Sequence, residues 1–477
     1  MSLTKVSNSM IAGATFSLSD YGSDLATAIT NIGSTSGTLT INAATTISSN
    51  LTVPATLELV FQKNALITIG GSSVLTINGP ITAGTYQIFN SPAANQVIIT
   101  SSTGKVFAAW FGFSSSQTAA VNKQAIGLAV YAVSAVFATG TNGGEVILHK
   151  GTFSVDGDLN VLTTGVVITG ASDAIGYDGA VYPGTIINFV TGTSGFVMGS
   201  VASPSRNNVI KNMKIYGSNV LTNGIWLSGT VQVENIVVTN CVNGIRFGYL
   251  CNQSNLKNVT CAYNSVYGAL SDDPSNTVID ASFCNFRENG VYSGSPTPTV
   301  GVGFGILAGV GVSLYRCVIE SNYGVGLYIY NQDVPSNELH SFYKCWFEAN
   351  DRNSTTKFQV LITSYNVNTA EPNGMHFVDC LFDPNQTYSC SVVAGADHRF
   401  DHCYGGIINV SAGVHNCTTS YDINGPVMNN LGNSSNYAGN QIATYANNAA
   451  AIAGGLVAGQ VYQQSASVDP QPLFVVR

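Results

Sequence analysis

A repeat of asparagines is the feature that most constrains the fold of this chain. Lys211-Asn212-Met213, Glu234-Asn235-Ile236 and Lys257-Asn258-Val259 place one asparagine every 23 residues. Short β-branched segments and Asn/Gly turns fill the intervals between them. A period in the low twenties built from such segments is typical of a right-handed parallel β-helix, in which each repeat forms one coil.

A second register continues the repeat downstream. Its four segments share Cys at the first position and Asn at the sixth: Cys284–Asn289, Cys317–Asn322, Cys345–Asn350 and Cys380–Asn385. The cysteines are separated by 33, 28 and 35 residues, which is more than one bare coil needs. We therefore expect inserted residues to leave the coils as loops beside one face, where loops on a rigid scaffold often carry function.

The alternation of side chains along a strand predicts which positions of this register face inward. We expect the Cys to point into the core together with the residue two places later, so that the thiols are structural. Three other columns are then expected to face outward, with one residue per coil. They are Phe283, Arg316, Lys344 and Asp379 just before the Cys; Asn285, Val318, Trp346 and Leu381 just after it; and Arg287, Glu320, Glu348 and Asp383 three places after it.

The last column carries the predicted catalytic residues, Glu320, Glu348 and Asp383. Neighbouring coils lie about 4.8 Å apart, so adjacent carboxylates are expected about 5 Å apart and the outer two about 10 Å apart. Like charges on successive coils repel, which favours a proton on one of them. Glycoside hydrolysis uses such a pair, at about 5 Å in retaining enzymes and about 6.5 to 9.5 Å in inverting ones.

The other two columns predict substrate contacts. An exposed Trp346 beside Glu348 is suited to stacking on a sugar ring. Arg287, Arg316 and Lys344 are suited to an acidic substituent. The alternative interpretation is that all these residues are solvated surface side chains, with Val318, Trp346 and Leu381 covered by a neighbouring subunit.

Composition excludes several classes of function. Only 9% of the residues are charged, against about 25% in an average soluble protein. The 22 Tyr, 21 Phe and 3 Trp exclude a disordered chain. A net charge of −8 argues against nucleic acid as a partner, and the longest run of small apolar residues is too short for membrane insertion.

Motif searches predict neither a cofactor nor a metal. The sequence has no Walker loop, no dinucleotide fingerprint, no His-Glu-x-x-His and no Cys-x-x-Cys pair. The six histidines are expected at the surface, and Asp397-His398 and Asp401-His402 do not by themselves define ligand geometry.

The chain divides into three regions by pattern. Residues 1–109 form a lead and a β-rich region with alternating Thr, Ile, Val and Leu. Residues 110–412 are predicted as the β-helix, with one capping helix over about 117–137. Residues 413–477 lose the Cys register and are predicted as a small C-terminal β cap that clasps a trimer.

Three stretches of sequence resemble one family. Met10-Ile-Ala-Gly-Ala14 followed by Asp20-Tyr21-Gly22 resembles the start of bacteriophage tailspike proteins. Trp110-Phe111-Gly112 and Gly143–Phe153 are similar to the opening of the pectate-lyase-like superfamily of right-handed parallel β-helices. The tail, Ala449–Tyr462, is similar to the C-terminal strip of many phage tail proteins. In one respect the chain departs from the pattern: Ser114–Thr118 replaces the usual Asp-rich elements, so no metal or acid role is carried over there.

The resemblance implies a homotrimeric tailspike that recognises and depolymerises a bacterial surface polysaccharide, capsule or O-antigen. It also implies attachment to a phage baseplate or other tail protein, a place in the virion tail, and assembly in the cytoplasm of the bacterial host. Hydrolysis is the favoured chemistry. The alternatives are a polysaccharide lyase with Lys344 or a histidine as base and Arg287 or Arg316 neutralising a uronate, a non-catalytic glycan-binding adhesin, and a structural tail fibre.

Overall fold

The fold is described from a computed structural model. It covers the following residues: 13–100, 104–134, 143–171, 184–290, 300–331, 340–352, 358–364, 374–383, 388–393, 397–405, 407–411, 417–420, 427–430, 444–445, 461–464 and 473–475.

The N-terminal region is itself built from parallel coils. Its short strands alternate buried and more exposed residues, as in Leu57–Phe61, where Leu57, Leu59 and Phe61 are buried. The strand pairs that the structure describes within residues 13–100 are all parallel and lie in three sheets. The sheets contain Ala14–Ser17, Gly37–Ile41, Leu57–Phe61 and Ile81–Thr82; Leu51–Val53, Leu75–Ile77 and Val97–Ile99; and Thr45–Ile47, Ile67–Ile69 and Phe89–Asn90.

Two α-helices are present in the described residues, where the sequence pattern predicts one. The helix expected over 117–137 runs from Ala119 to Ser134 and packs against both the strand Val97–Ile99 and the strand Gly151–Asp156. The unpredicted helix, Leu25–Ile32, has only two turns and contains β-branched residues, so its pattern is weak. Asp24 starts it by accepting a hydrogen bond from the Ala26 N–H at 3.0 Å. Two 3₁₀-helices, Leu18–Tyr21 and Ala108–Phe111, complete the helical segments.

The main body is a parallel β-helix with three faces, and this confirms the predicted fold. Face A is formed by Lys105–Phe107, Glu145–Ile147, Val167–Thr169, Thr277–Ser282, Val310–Tyr315, His340–Tyr343, Met375–Val378, Arg399–Asp401 and Thr418–Ser420. Face B is formed by Gly151–Asp156, Thr185–Thr191, Asn285–Arg287, Val318–Glu320, Trp346–Glu348 and Leu381–Phe382. Face C is formed by Leu159–Val161, Ser194–Met198, Asn243–Tyr249, Tyr267–Ser271, Val302–Ile306, Leu327–Asn331, Phe358–Ser364, Tyr388–Val392, Ile407–Val410 and Val427–Asn430.

Three long strands bend around the corners between these faces. They are Ser205–Tyr216, Asn223–Thr239 and Ser254–Ala262. Each pairs in parallel with its equivalent one coil further on; for example, Lys211 pairs with Glu234, which pairs with Lys257. The 23-residue asparagine repeat is therefore the length of one coil.

Inside the β-helix, side chains stack from coil to coil. Cys284, Cys317, Cys345 and Cys380 are buried, which confirms their predicted inward direction. The residues two places later, Phe286, Ile319, Phe347 and Phe382, are fully buried. The rings of Phe347 and Phe382 stack with their centroids 5.2 Å apart. All ten cysteines are buried and none is in a disulfide.

A ladder of buried asparagines turns the chain from face B to face C. Asn289 donates through Nδ2 to Oδ1 of Asn322 at 2.9 Å, and Asn322 donates likewise to Asn350 at 2.7 Å. Each of these carbonyl oxygens also accepts the backbone N–H of the preceding asparagine. The ladder thus satisfies polar groups at a buried corner, where unpaired ones are costly.

The predicted loops and most of the predicted cap lie outside the described residues. The segments that lengthen the coils include 291–299, 332–339 and 365–373. Within 413–477, Thr418–Ser420 and Val427–Asn430 extend faces A and C. Thr444–Tyr445, Val461–Gln464 and Leu473–Val475 form a separate small sheet.

No helix in the part of the chain that the structure describes is long and apolar enough to cross a membrane.

Candidate functional site

The outer side of face B carries two of the predicted columns in register. Glu320 pairs with Arg287 on the preceding coil and with Glu348 on the following one. In the neighbouring column Val318 lies between Asn285 and Trp346, and Trp346 pairs with Leu381. These residues alternate with the fully buried Phe286, Ile319 and Phe347, so the columns face outward as the strand periodicity predicts.

Asp383 adds a third carboxylate one coil beyond Glu348. It follows Phe382, which pairs with Phe347, and its backbone N–H donates to the carbonyl of Phe347 at 2.9 Å. Glu320, Glu348 and Asp383 therefore belong to three successive coils. Paired residues of neighbouring coils lie about 4.8 Å apart, which is the spacing expected for this column.

Arg287 compensates the charge at one end of the carboxylate column. Its Nη1 lies 3.1 Å from Oε1 of Glu320, and its Nη2 lies 3.4 Å from Oε1 of Glu288. The Arg287 side chain is only 16% exposed. Its guanidinium is thus engaged by two carboxylates of the protein, and contact with a substrate remains a prediction.

The column just before the Cys is exposed as predicted, but it does not lie on a strand, so alternation along a strand is not the reason for its exposure. Phe283, Arg316, Lys344 and Asp379 have φ values of 55°, 51°, 54° and 52°. They turn the chain at the corner between faces A and B. The residue before each of them also faces outward, so two consecutive side chains are exposed at this corner.

Earlier coils place asparagine at the same corner, and there the side chains bond to one another. Asn235 donates to Asn212 at 3.0 Å and Asn258 donates to Asn235 at 2.8 Å. Asparagine tolerates positive φ better than most residues. Phe, Arg, Lys and Asp replace it from residue 283 onward at some cost in backbone strain, and positions of that kind cluster at functional sites.

Exposed aromatic side chains and one leucine lie along this corner, and we call this group the corner strip. It comprises Phe283, Tyr315, Tyr343, Trp346, Leu381 and Tyr404, all among the most exposed large apolar residues of the described chain. Trp346 is 46% exposed. The Arg316 guanidinium lies 5.3 Å from the ring centre of Tyr315 and 5.9 Å from that of Phe283. The strip lies beside the carboxylate column and offers rings and cations to a ligand.

A second polar cluster on face A is absent from the sequence prediction. His376 Nε2 lies 2.9 Å from Oδ2 of Asp401, one coil further on. Arg399 Nε lies 2.5 Å from the same oxygen. The ring of Tyr343 stands edge-on to that of His376 at 6.1 Å.

The sequence contains a signal for this cluster. Ser313, Ser341, His376 and Arg399 each lie four residues before a Cys of the register, the last before Cys403. When the coils are aligned on these cysteines, the four residues fall at the same position of successive coils. Asp401 contacts His376 between neighbouring coils, so the two residues of this contact are 25 positions apart in the sequence.

The expectation that the histidines lie at the surface is wrong for two of them. His340 and His398 are buried. The backbone N–H of Val312 donates to His340 Nδ1 at 3.1 Å, and burial lowers the pKa of His340 to about 4. Among the described residues, no three His, Cys, Asp or Glu side chains are grouped to hold a metal ion.

Comparisons with known proteins give fold-level similarity. No family model and no curated protein matches the chain. ORF18 of Geobacillus virus E2 is similar at 15% identity over 70% of this chain and 62% of that one, with a TM-score of 0.42. The tailspike protein gp49 of Acinetobacter baumannii bacteriophage Fri1, a capsular polysaccharide depolymerase, is similar at 12% identity over 70% and 64%, with a TM-score of 0.46. Pectate lyase Pel9A is similar at 12% identity over 64% and 73%, with a TM-score of 0.32.

The matched part spans less than two thirds of each of the two phage proteins. Likeness at this level does not assign a reaction, because one fold hosts many functions. The function is therefore argued from the side chains of faces A and B.

Proposed function

We propose that this chain is a phage tailspike that binds a bacterial surface polysaccharide, capsule or O-antigen, and cleaves it by glycoside hydrolysis. One observation carries the proposal: Glu320, Glu348 and Asp383 stand in register on three successive coils beside an exposed Trp346. Two carboxyl groups that flank a sugar are the machinery of most glycosidases.

The ion pair of Arg287 distinguishes the roles of the carboxyl groups. Glu320 forms an ion pair with that guanidinium at 3.1 Å, and we assign it the role of base or nucleophile. Glu348 stands between Glu320 and Asp383 in the column, one coil from each of them. Glu348 is therefore our general acid, and Glu320 or Asp383 its partner.

The spacing relates the choice of partner to the stereochemical outcome. Glu320 and Glu348 occupy adjacent coils, about 4.8 Å apart, which corresponds to a retaining mechanism with Glu320 as nucleophile. Asp383 is also one coil from Glu348, on its other side, and side-chain rotation can widen that gap to admit water for an inverting mechanism.

The corner strip supplies the surface that holds the glycan. Trp346 and Tyr343 present ring faces to sugars, while Arg316 and Lys344 attract acidic substituents. In the assembled particle we infer a homotrimer in the virion tail, attached through the baseplate or another tail protein after assembly in the host cytoplasm.

The decisive experiment is to follow cleavage of capsule and O-antigen preparations from a panel of Gram-negative hosts. Reducing ends and the ultraviolet absorbance of unsaturated uronates are recorded together. New reducing ends without absorbance support the hydrolase, and both signals rising would replace it with a lyase. Glu348→Gln should abolish cleavage and retain binding. Glu234→Gln is the matched control. Glu234 lies on face A, away from the carboxylate column, in register with Lys211 of the preceding coil and Lys257 of the following coil.

A second candidate, a non-catalytic adhesin, is favoured by the corner strip alone. Exposed rings and cations retain a glycan whether or not a bond is cleaved. Binding of a preparation that remains uncut by the wild-type protein would favour this candidate and contradict the hydrolase proposal.

A further inference from the structure

The cluster on face A combines a histidine with a carboxylate that orients it. Asp401 Oδ2 accepts the hydrogen bond of His376 Nε2 at 2.9 Å, which leaves Nδ1 as the free ring nitrogen. The Asp401 side chain is 11% exposed and that of His376 is 25% exposed. The imidazole is thus held from a protected side and open to solvent on another.

Ser341 lies one coil before His376 in the same outer column of face A. Ser341 pairs with His376 in the parallel ladder, and both are partly exposed between buried neighbours. Their Cα atoms are therefore about 4.8 Å apart. No hydrogen bond joins the two side chains, but side-chain rotation alone can bring Ser341 Oγ within reach of the ring. Catalytic hydrogen bonds are often long before substrate binds.

We propose that Ser341, His376 and Asp401 form an acyl-transfer site that removes ester-linked acyl groups, such as O-acetyl, from a glycan held on the corner strip. This activity is separate from cleavage of the glycan backbone. Serine, histidine and aspartate occupy three successive coils, so the rigid ladder sets their order. The two ring nitrogens exchange the roles they have in the usual triad, and the chemistry only needs one bonded to the carboxylate and the other free.

The reaction balances with water as the only co-reactant. His376 Nδ1 takes the Ser341 hydroxyl proton as Oγ bonds to the ester carbonyl carbon. The bond from that carbon to the sugar oxygen breaks, and the sugar oxygen receives the proton from His376. Water then attacks the acyl-serine with His376 as base, and the carboxylic acid leaves as Ser341 regains its proton.

Neighbouring groups suit this role. Arg399 pairs with His376 in the ladder and uses Nε on Asp401, so its remaining N–H groups can face the developing oxyanion. Tyr343, two residues after Ser341, brings a ring of the corner strip to the site. A glycan on the strip would therefore present its substituents toward face A.

The test uses the full chain, 4-nitrophenyl acetate and a fluorophosphonate probe that labels activated serines. We expect hydrolysis of the ester and labelling that peptide mapping places on Ser341. Ser341→Ala should remove the label and lower kcat/KM by at least about 100-fold. His376→Gln should lower it by about 100-fold or more. Ser313→Ala is the matched control and should behave as wild type, because Ser313 lies one coil earlier in the same column and is paired there with Ser341 instead of a histidine.

Two results would overturn the proposal. One is a wild-type protein whose Ser341 stays unlabelled at probe concentrations that label a serine esterase. The other is ester hydrolysis that is equal in the wild type and Ser341→Ala. Labelling of the wild type needs no variant to fold, so it decides the question even if His376→Gln is unstable. Neither readout uses a polysaccharide, so failure of the hydrolase proposal does not affect them.

Discussion

Nη1 of Arg287 lies 3.1 Å from Oε1 of Glu320 on the next coil, so the stacked carboxylates of face B begin against a cation. The variant Arg287→Met keeps much of the apolar stem of this side chain but removes its positive charge. The stacked carboxylates of face B then repel one another without a compensating cation. We expect a loss of about 1 to 3 kcal/mol in the free energy of unfolding, measured with denaturant. Adding Glu320→Gln should recover part of it, and a double mutant less stable than Arg287→Met would contradict the charge argument.

Arg246→Met is the control for Arg287→Met in assays of glycan cleavage. Arg246 forms a comparable ion pair with Asp272 at 2.9 Å on face C. Because that pair is remote from the carboxylate column, its loss should leave glycan cleavage at the wild-type rate.

Trp346→Ala should weaken glycan binding about tenfold, because a ring that is 46% exposed in the protein loses its contact with sugar. The midpoint of thermal unfolding should not change. Binding is measured by calorimetry on the oligosaccharide product, and oligomeric state by light scattering. Tyr131→Ala, at an exposed position of the helix Ala119–Ser134, is the control. If Trp346→Ala instead dissociates the oligomer, the residue belongs to a subunit interface.

Stability should fall on acidification because of His340. Burial lowers its pKa from 6.5 to about 4 in the folded protein, so below pH 6.5 the unfolded chain binds a proton that the folded chain excludes. The stabilisation lost between pH 6.5 and 4 is on the order of 3 kcal/mol, and nothing more is lost below that window. Denaturant titrations across this range measure it. His340→Asn keeps an acceptor for the Val312 N–H and should flatten this part of the profile; an unchanged slope would exclude His340 as its source.

Asn322→Leu should be among the most damaging substitutions in the coils. The Asn322 side chain accepts from Asn289 and donates to Asn350 and to the carbonyl of Phe286. Each buried group left unpaired costs about 1 to 3 kcal/mol, so we expect a loss above about 3 kcal/mol or failure to fold. Asn258→Gly removes an exposed bond of the outer ladder and keeps the positive φ, so its cost should be below about 1 kcal/mol. Equal losses would show that the buried ladder has no special weight.

The ten thiols should be unreactive in the folded protein because all ten are buried and closed to a reagent in water. Burial raises the pKa of Cys241, Cys251 and Cys417 to about 12, and thiolates are the reactive species. Titration with a thiol reagent at pH 8 should detect none before unfolding and all ten in guanidinium chloride. Rapid reaction of a native thiol would mean that its coil opens locally.

Particular residues show what the repeat could predict of the site. The stacking of Glu320 on Glu348 and of Trp346 on Leu381 follows from aligning the coils on cysteine, because a parallel ladder keeps equivalent residues in register. Alternation of side chains along the strand, by contrast, stops at Arg316 and Lys344, because the chain turns there with positive φ. The helix Leu25–Ile32 was also not predicted, because two helical turns are too short to show a clear helical periodicity in the sequence.

The architecture of this protein follows from its repeat. Its 23-residue period sets the coil length, and the alternation of side chains predicts that Cys317 and Phe347 point into the core. The partners follow from the tertiary structure: Arg287 lies against Glu320, and His376 lies against Asp401. The physical reason is that the coils place residues 25 or more positions apart within hydrogen-bond distance, while side-chain rotation decides which neighbour each group meets.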